Sequence, residues 1–146
     1  MKSLIAIVLF STAFLSSAQK IDYNTKKGFV AEGYDVVEYF NNNAKKGVND
    51  YQITHDGVKY KFISEENLEI FKASPTKFIP QYGGYCAYAI AVKNKKVSIN
   101  PETFEIRDGK LYLFYNSWGT NTLESWLEES PEVLRQKADD NWKKSQ

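Results

Sequence analysis

The chain has 146 residues, 25% charged, 42% hydrophobic and 15% aromatic, with 19 basic and 18 acidic side chains and a formal net charge of +1 when its histidine is counted as neutral. With one cysteine, Cys86, and one histidine, His55, it excludes a zinc finger, a CxxC redox pair, a two-histidine zinc-protease helix and an intramolecular disulfide framework. The balanced charge argues against a dedicated nucleic-acid or anionic-membrane surface.

Residues 1–18 read as a secretory signal peptide. Met1-Lys2 is a basic start, residues 4–15 are mostly apolar, and Ser16-Ser17-Ala18 offers small residues before Gln19. The apolar stretch is short of the ~20 residues that span a bilayer, and no later stretch approaches that length. The expectation is an exported protein, periplasmic or secreted, with no membrane span and one domain over 19–146. Removal of the peptide takes Lys2 and the only Met, leaving 18 basic against 18 acidic residues over 128 positions. A domain of that size buries roughly two thirds of its unfolded surface and needs neither disulfide nor metal to fold.

In chain order, 35–40 fits a single helical turn, with Asp35 and Glu38 at capping-box spacing. A pair of carboxylates for acid–base work is the rival reading, but capping explains them without chemistry. Asn41-Asn42-Asn43 and 94–96 are polar loops. Two segments, 51–62 and 103–114, each centre on an Asp-Gly pair and predict β-hairpins closed by type I′ turns. In the first, Val58, Tyr60 and Phe62 share one face and Lys59 and Lys61 the other. In the second, Leu111 and Leu113 replace the lysines, so its outer face is expected to be covered.

Ser64 caps a predicted helix over 65–73 that stops before Pro75, with Leu68 and Phe71 facing a core. A shorter helix is expected over 122–129. Ser130-Pro131-Glu132 opens another through about Trp142, with Val133, Leu134, Ala138 and Trp142 as its apolar stripe. The whole reads as one small α+β domain, two hairpins with short helices around a central buried Gly-Gly-Tyr-Cys segment.

That segment leads into Cys86-Ala87-Tyr88-Ala89-Ile90-Ala91-Val92, the most apolar stretch after the peptide. Its three alanines favour a short buried helix. A helix starting near Gly84 would put Cys86 in the first turn, where the helix dipole favours a thiolate. No Lys, Arg or His lies within six residues of Cys86, and an inert, buried Cys86 is the plain alternative. His55 precedes the Asp56-Gly57 turn in no recognisable ligand spacing, and a solvated turn residue is the simpler reading.

The chain also resembles a known family. Gly33-Tyr34-Asp35-Val36-Val37-Glu38-Tyr39-Phe40, Ser64-Glu65-Glu66-Asn67 and above all Pro80-Gln81-Tyr82-Gly83-Gly84-Tyr85-Cys86-Ala87 are similar to the secreted bacterial YHS-domain proteins. The likeness extends through Asn100-Pro101-Glu102 and the second Asp-Gly hairpin to the closing residues 138–142. It implies a small α+β domain related to the metal-associated YHS and TRASH-like modules. In some similar proteins the position matching Cys86 is selenocysteine, which raises the weight of a reactive thiol. Multi-cysteine metal modules use several soft ligands, so a closed four-ligand site does not carry over.

Three functions follow as expectations. The resemblance favours a soft-metal module for copper or zinc centred on Cys86, with His55 as a weak second ligand and no enzymatic activity. A single-cysteine redox protein is the second, its Cys86 resolved by an external thiol or by Cys86 of a second chain in a homodimer. The third is a secreted module that binds a small ligand or a protein through Tyr82, Gly83, Gly84, Tyr85 and Tyr88, with a structural Cys86.

Overall fold

The computed structural model of the protein describes residues 20–146, so the predicted signal peptide lies outside the described residues. In chain order the strands are β1 (Thr25–Lys26), β2 (Phe29–Val30), β3 (Val48–His55), β4 (Val58–Phe62), β5 (Asn100–Arg107), β6 (Lys110–Phe114), β7 (Asn116–Ser117) and β8 (Thr120–Asn121). The α-helices are α1 (Glu65–Ala73), the single turn α2 (Pro75–Phe78), α3 (Ala87–Lys93), α4 (Thr122–Glu128) and α5 (Pro131–Lys144). The fold is α+β, as the sequence predicts. No helix among the described residues is long and apolar enough to cross a membrane.

Four tight turns organise the strands. Lys27-Gly28, Asp56-Gly57, Asp108-Gly109 and Trp118-Gly119 each place two consecutive residues at positive φ, the requirement of a two-residue type I′ hairpin loop. The two Asp-Gly hairpins are β3–β4 and β5–β6. The Lys27 and Trp118 hairpins, β1–β2 and β7–β8, are too short to leave a periodic signal in the sequence. β2 also pairs in parallel with β4 at Phe29 and Lys59, giving one sheet of order β1-β2-β4-β3. The ammonium groups of Lys59 and Lys61 lie 4.7 Å and 4.2 Å from the Phe29 ring centroid, so the polar face of β4 is held by cation–π contact. The register of β5–β6 shifts between Asn100 and Phe104. Pro101 lies in that stretch and has no N–H to give to the ladder, while its carbonyl accepts from the Tyr39 hydroxyl at 2.6 Å.

Strand alternation in β6 divides the core in two. Leu111 and Leu113 pack with Val30, Val36, Tyr60, Phe62 and Phe71. Tyr112 and Phe114 pack with Ile90, Trp126, Leu134 and Ala138. Both faces of the strand are therefore covered, as Leu111 and Leu113 predict. Cys86 and Ala87 repeat the division, the first belonging to one cluster and the second to the other.

The helices follow their caps. The Ser64 hydroxyl accepts from the Asn67 amide and the Asn121 side chain from the Leu123 amide. In α5 the expected stripe narrows. Leu134 and Ala138 are buried and Trp142 is partly covered, but Val133 is 51% exposed because the neighbouring core is met by the opposite side of that turn. α5 is tied to the second hairpin by Arg107 and Arg135, which bridge Glu105, Asp108 and Glu132 at 2.5–3.1 Å.

Candidate functional site

The glycine segment departs from the expected helix start. Gln81–Gly84 forms a separate 3-10 turn broken by Tyr82 (φ 57°, ψ 40°) and Gly83 (φ 62°, ψ 13°). Gly84 is also left-handed, at φ 83°. A right-handed helix cannot pass through three such residues, so α3 begins only at Ala87 and Cys86 is its N-cap rather than a first-turn residue. Gly83 is required by space as well. A Cβ there would stand 2.5 Å from the Asp22 carbonyl oxygen and 3.1 Å from the Trp142 ring. The closeness is used: Asn24 donates its amide to the Gly83 carbonyl and its side chain to the Gly84 carbonyl, strapping the first described residues over the glycines.

Cys86 is 0% exposed. Its amide donates to Val97 O, and its Sγ lies 3.3 Å from Thr122 Oγ1. The Thr122 hydroxyl donates its one proton to the Tyr115 carbonyl at 2.7 Å, so it can only accept from sulfur, and the thiol is the donor. A polar chain Cys86–Thr122–Tyr115 thus crosses from the start of α3 to the start of α4 with every member satisfied.

His55 is the last residue of β3 and is half-buried rather than a solvated turn residue. Its ring meets Phe71 edge-on at 5.8 Å and Tyr60 at 6.4 Å, because the period of β3 points it to the side of the sheet that α1 covers. It lines a cleft of ≈ 620 Å³ together with Tyr23, Asp56, Tyr82, Gly83, Asp139 and Trp142. Two tyrosine–carboxylate pairs lie in this cleft, Tyr23 to Asp56 and Tyr82 to Asp139, both at 2.8 Å. Burial, reinforced by these carboxylates, pushes both phenols far above their ordinary range. The hydroxyls therefore remain donors, and each carboxylate keeps its second oxygen without a hydrogen bond among the described residues. Tyr60, stacked on Phe71 at 4.7 Å, has a buried hydroxyl with no partner among the described residues. Burial raises its pKa most, with the charges of Tyr23 and Asp56 adding to it.

The expected tyrosine pocket is only partly assembled. Tyr82 and Gly83 line the cleft, and Gly84 is buried beneath the Asn24 strap. Tyr85 packs against Trp142 at 6.3 Å and donates to Asp22. Tyr88 turns away, donating to Glu129 on the far side of α3 at 2.6 Å. Sequence reasoning missed Tyr23, Asp139 and Trp142 as neighbours of His55. They come from the two ends of the chain, and no local spacing carries that information.

Asp35 and Glu38 are buried and held in a shared hydrogen-bond network. Asp35 accepts from the amides of Val37, Glu38 and Ile63 and from the Asn67 side chain. Glu38 accepts from the side chains of Asn67, Asn43 and Asn41. The Asn67 bond, then that of Asn43, holds Glu38 below its ordinary range in spite of burial. The pair caps a turn and cross-links two loops, Asp35 with four accepted bonds and Glu38 with three, so both carboxylates are accounted for by structure.

The copper or zinc that the resemblance implies can be tested against the donors present. No group of three His, Cys, Asp or Glu side chains able to hold an ion occurs among the described residues. A two-ligand copper(I) site would need His55 beside Cys86. His55 lines the cleft, whereas the Cys86 thiol faces Thr122 inside the core. These donors do not fit either ion in this arrangement. Comparison with protein-family models, with curated proteins and with solved structures returned no match.

Proposed function

We propose that the chain is an exported YHS-type binding module that takes a small amphipathic amine in the cleft around His55, Tyr82 and Trp142, with Cys86 as a structural residue. The observation that carries this reading is the convergence, from three separate parts of the chain, of His55, Tyr82, Gly83 and Trp142 on one cleft. Its aromatic walls and the half-satisfied carboxylates of Asp56 and Asp139 suit a cation with an apolar body.

The soft-metal and thiol-redox readings both begin at Cys86. They rest on the likeness to YHS proteins, and each requires the thiol to leave its bond to Thr122. The amine reading is tested by NMR titration of ¹⁵N-labelled protein with phenethylamine and, separately, benzoate. Phenethylamine is expected to shift the amides of residues 23, 55, 82, 83 and 142, and Tyr82→Phe and Trp142→Ala to weaken that response. Equal response to benzoate, or shifts confined to other surfaces, would reject the amine.

A further inference from the structure

Among the four type I′ turns, the first position favours Asn, Asp or Gly, the residues that enter the left-handed region at least cost. Asp56 and Asp108 conform, but Lys27 (φ 54°) and Trp118 (φ 52°) do not. Both of the nonconforming residues line a second cleft, of ≈ 800 Å³, between the β1–β2 and β7–β8 hairpins. Trp118 is also 96% exposed. Neither turn conformation nor burial accounts for an indole at this position.

The charge in the cleft has a surplus of one sign. Lys26 pairs with Glu32 at 3.4 Å, and Lys61 donates to Asn49 while lying over Phe29. Lys27, Lys46 and Lys61 make no ion pair among the described residues, leaving three ammonium groups against Glu102.

We propose that this cleft binds an acidic oligosaccharide, with a sugar ring stacked on the Trp118 indole and carboxylates held by Lys27 and Lys46. A small-molecule site buries about 70–90% of its ligand. An indole as exposed as Trp118 covers one face of a ring and encloses nothing, so a single small anion gains too little contact, whereas a chain of linked rings repeats it. A single-stranded nucleic acid also stacks on aromatic side chains beside a basic groove, but the near-balanced charge of the chain argues against a nucleic-acid surface.

The experiment is an NMR titration with trigalacturonate, read at the Trp118 indole N–H and beside its methyl ester, which removes the charge from the same sugars, and a short oligothymidylate. The Trp118 resonance is identified by its loss in Trp118→Asn. The proposal expects trigalacturonate to shift it, Trp118→Asn to bind at least tenfold more weakly, and the Lys27→Gln/Lys46→Gln variant to lose affinity and salt dependence together. Because Asn suits the turn, Trp118→Asn should melt no lower than the parent, which separates ligand contact from a structural role. No shift with trigalacturonate, undiminished binding by Trp118→Asn, a lowered melting temperature in that variant, equal binding of the ester, or preference for the oligothymidylate would each overturn the proposal.

Discussion

The thiol of Cys86 donates to the hydroxyl of Thr122 across 3.3 Å, and that hydroxyl in turn donates to the Tyr115 carbonyl at 2.7 Å. This relay places the sole cysteine in a satisfied, solvent-free position between the two halves of the core. Thr122→Val keeps the shape and the bond from the residue 122 amide to the Tyr115 carbonyl at 2.9 Å, but leaves the buried thiol without its acceptor. The expected cost is about 1–3 kcal/mol, measured as a fall in denaturant midpoint at unchanged m-value.

Burial of Cys86 has a kinetic consequence. Its reaction with a water-soluble disulfide reagent is expected to be slow in the folded protein and to become fast in denaturant, with the native rate tracking the opening equilibrium. A native rate equal to that in denaturant would show an accessible thiol and reopen the redox reading.

Asn67 holds two buried carboxylates through one amide group, with bonds of 2.8 Å to Asp35 and 2.9 Å to Glu38. Asn67→Ala is expected to cost about 2–4 kcal/mol, since it strips donors from buried acceptors. The pH dependence has a definite sign. The folded pKa of Glu38 is held below its unfolded value, so this contribution is complete above about pH 4.3 and is lost as pH falls through the folded value. Acid unfolding of the parent and Asn67→Ala should show a shallower loss of stability in the variant below that pH. Parallel curves would remove Asn67 as the cause.

Gly83 meets a steric limit and a conformational one together. Gly83→Ala drives a Cβ toward the Asp22 carbonyl at a positive φ, with an expected loss of about 2–4 kcal/mol. The strap from Asn24 should loosen as well, seen as faster hydrogen exchange of the Asn24 amide. Wild-type stability and exchange would mean that the N-terminal segment does not lie on the glycines.

How much of this was legible in the sequence depended on range. The Asp-Gly hairpins, the Ser64 cap, the Asp35–Glu38 turn and the covered face of β6 all follow from local rules, and the structure has them. The β1–β2 and β7–β8 hairpins escaped because two-residue strands have no period, and Lys27 and Trp118 are not the residues that announce such turns. Cys86 was placed one step inside a helix because alanine content signals a helix but not its start. The left-handed Tyr82, Gly83 and Gly84 set that start, and their conformation depends on Asn24, nearly sixty residues away. The candidate cleft was the least legible part, since His55, Tyr82 and Trp142 meet only when the chain ends are brought together.

The most direct test of the claim that Cys86 is structural is a copper(I) titration of residues 19–146 against a competing chelator under reducing conditions, with Cys86→Ala alongside. The account predicts superimposable curves for the two proteins. Tight one-to-one binding by the parent that disappears in Cys86→Ala would contradict it and establish the cysteine as the functional centre.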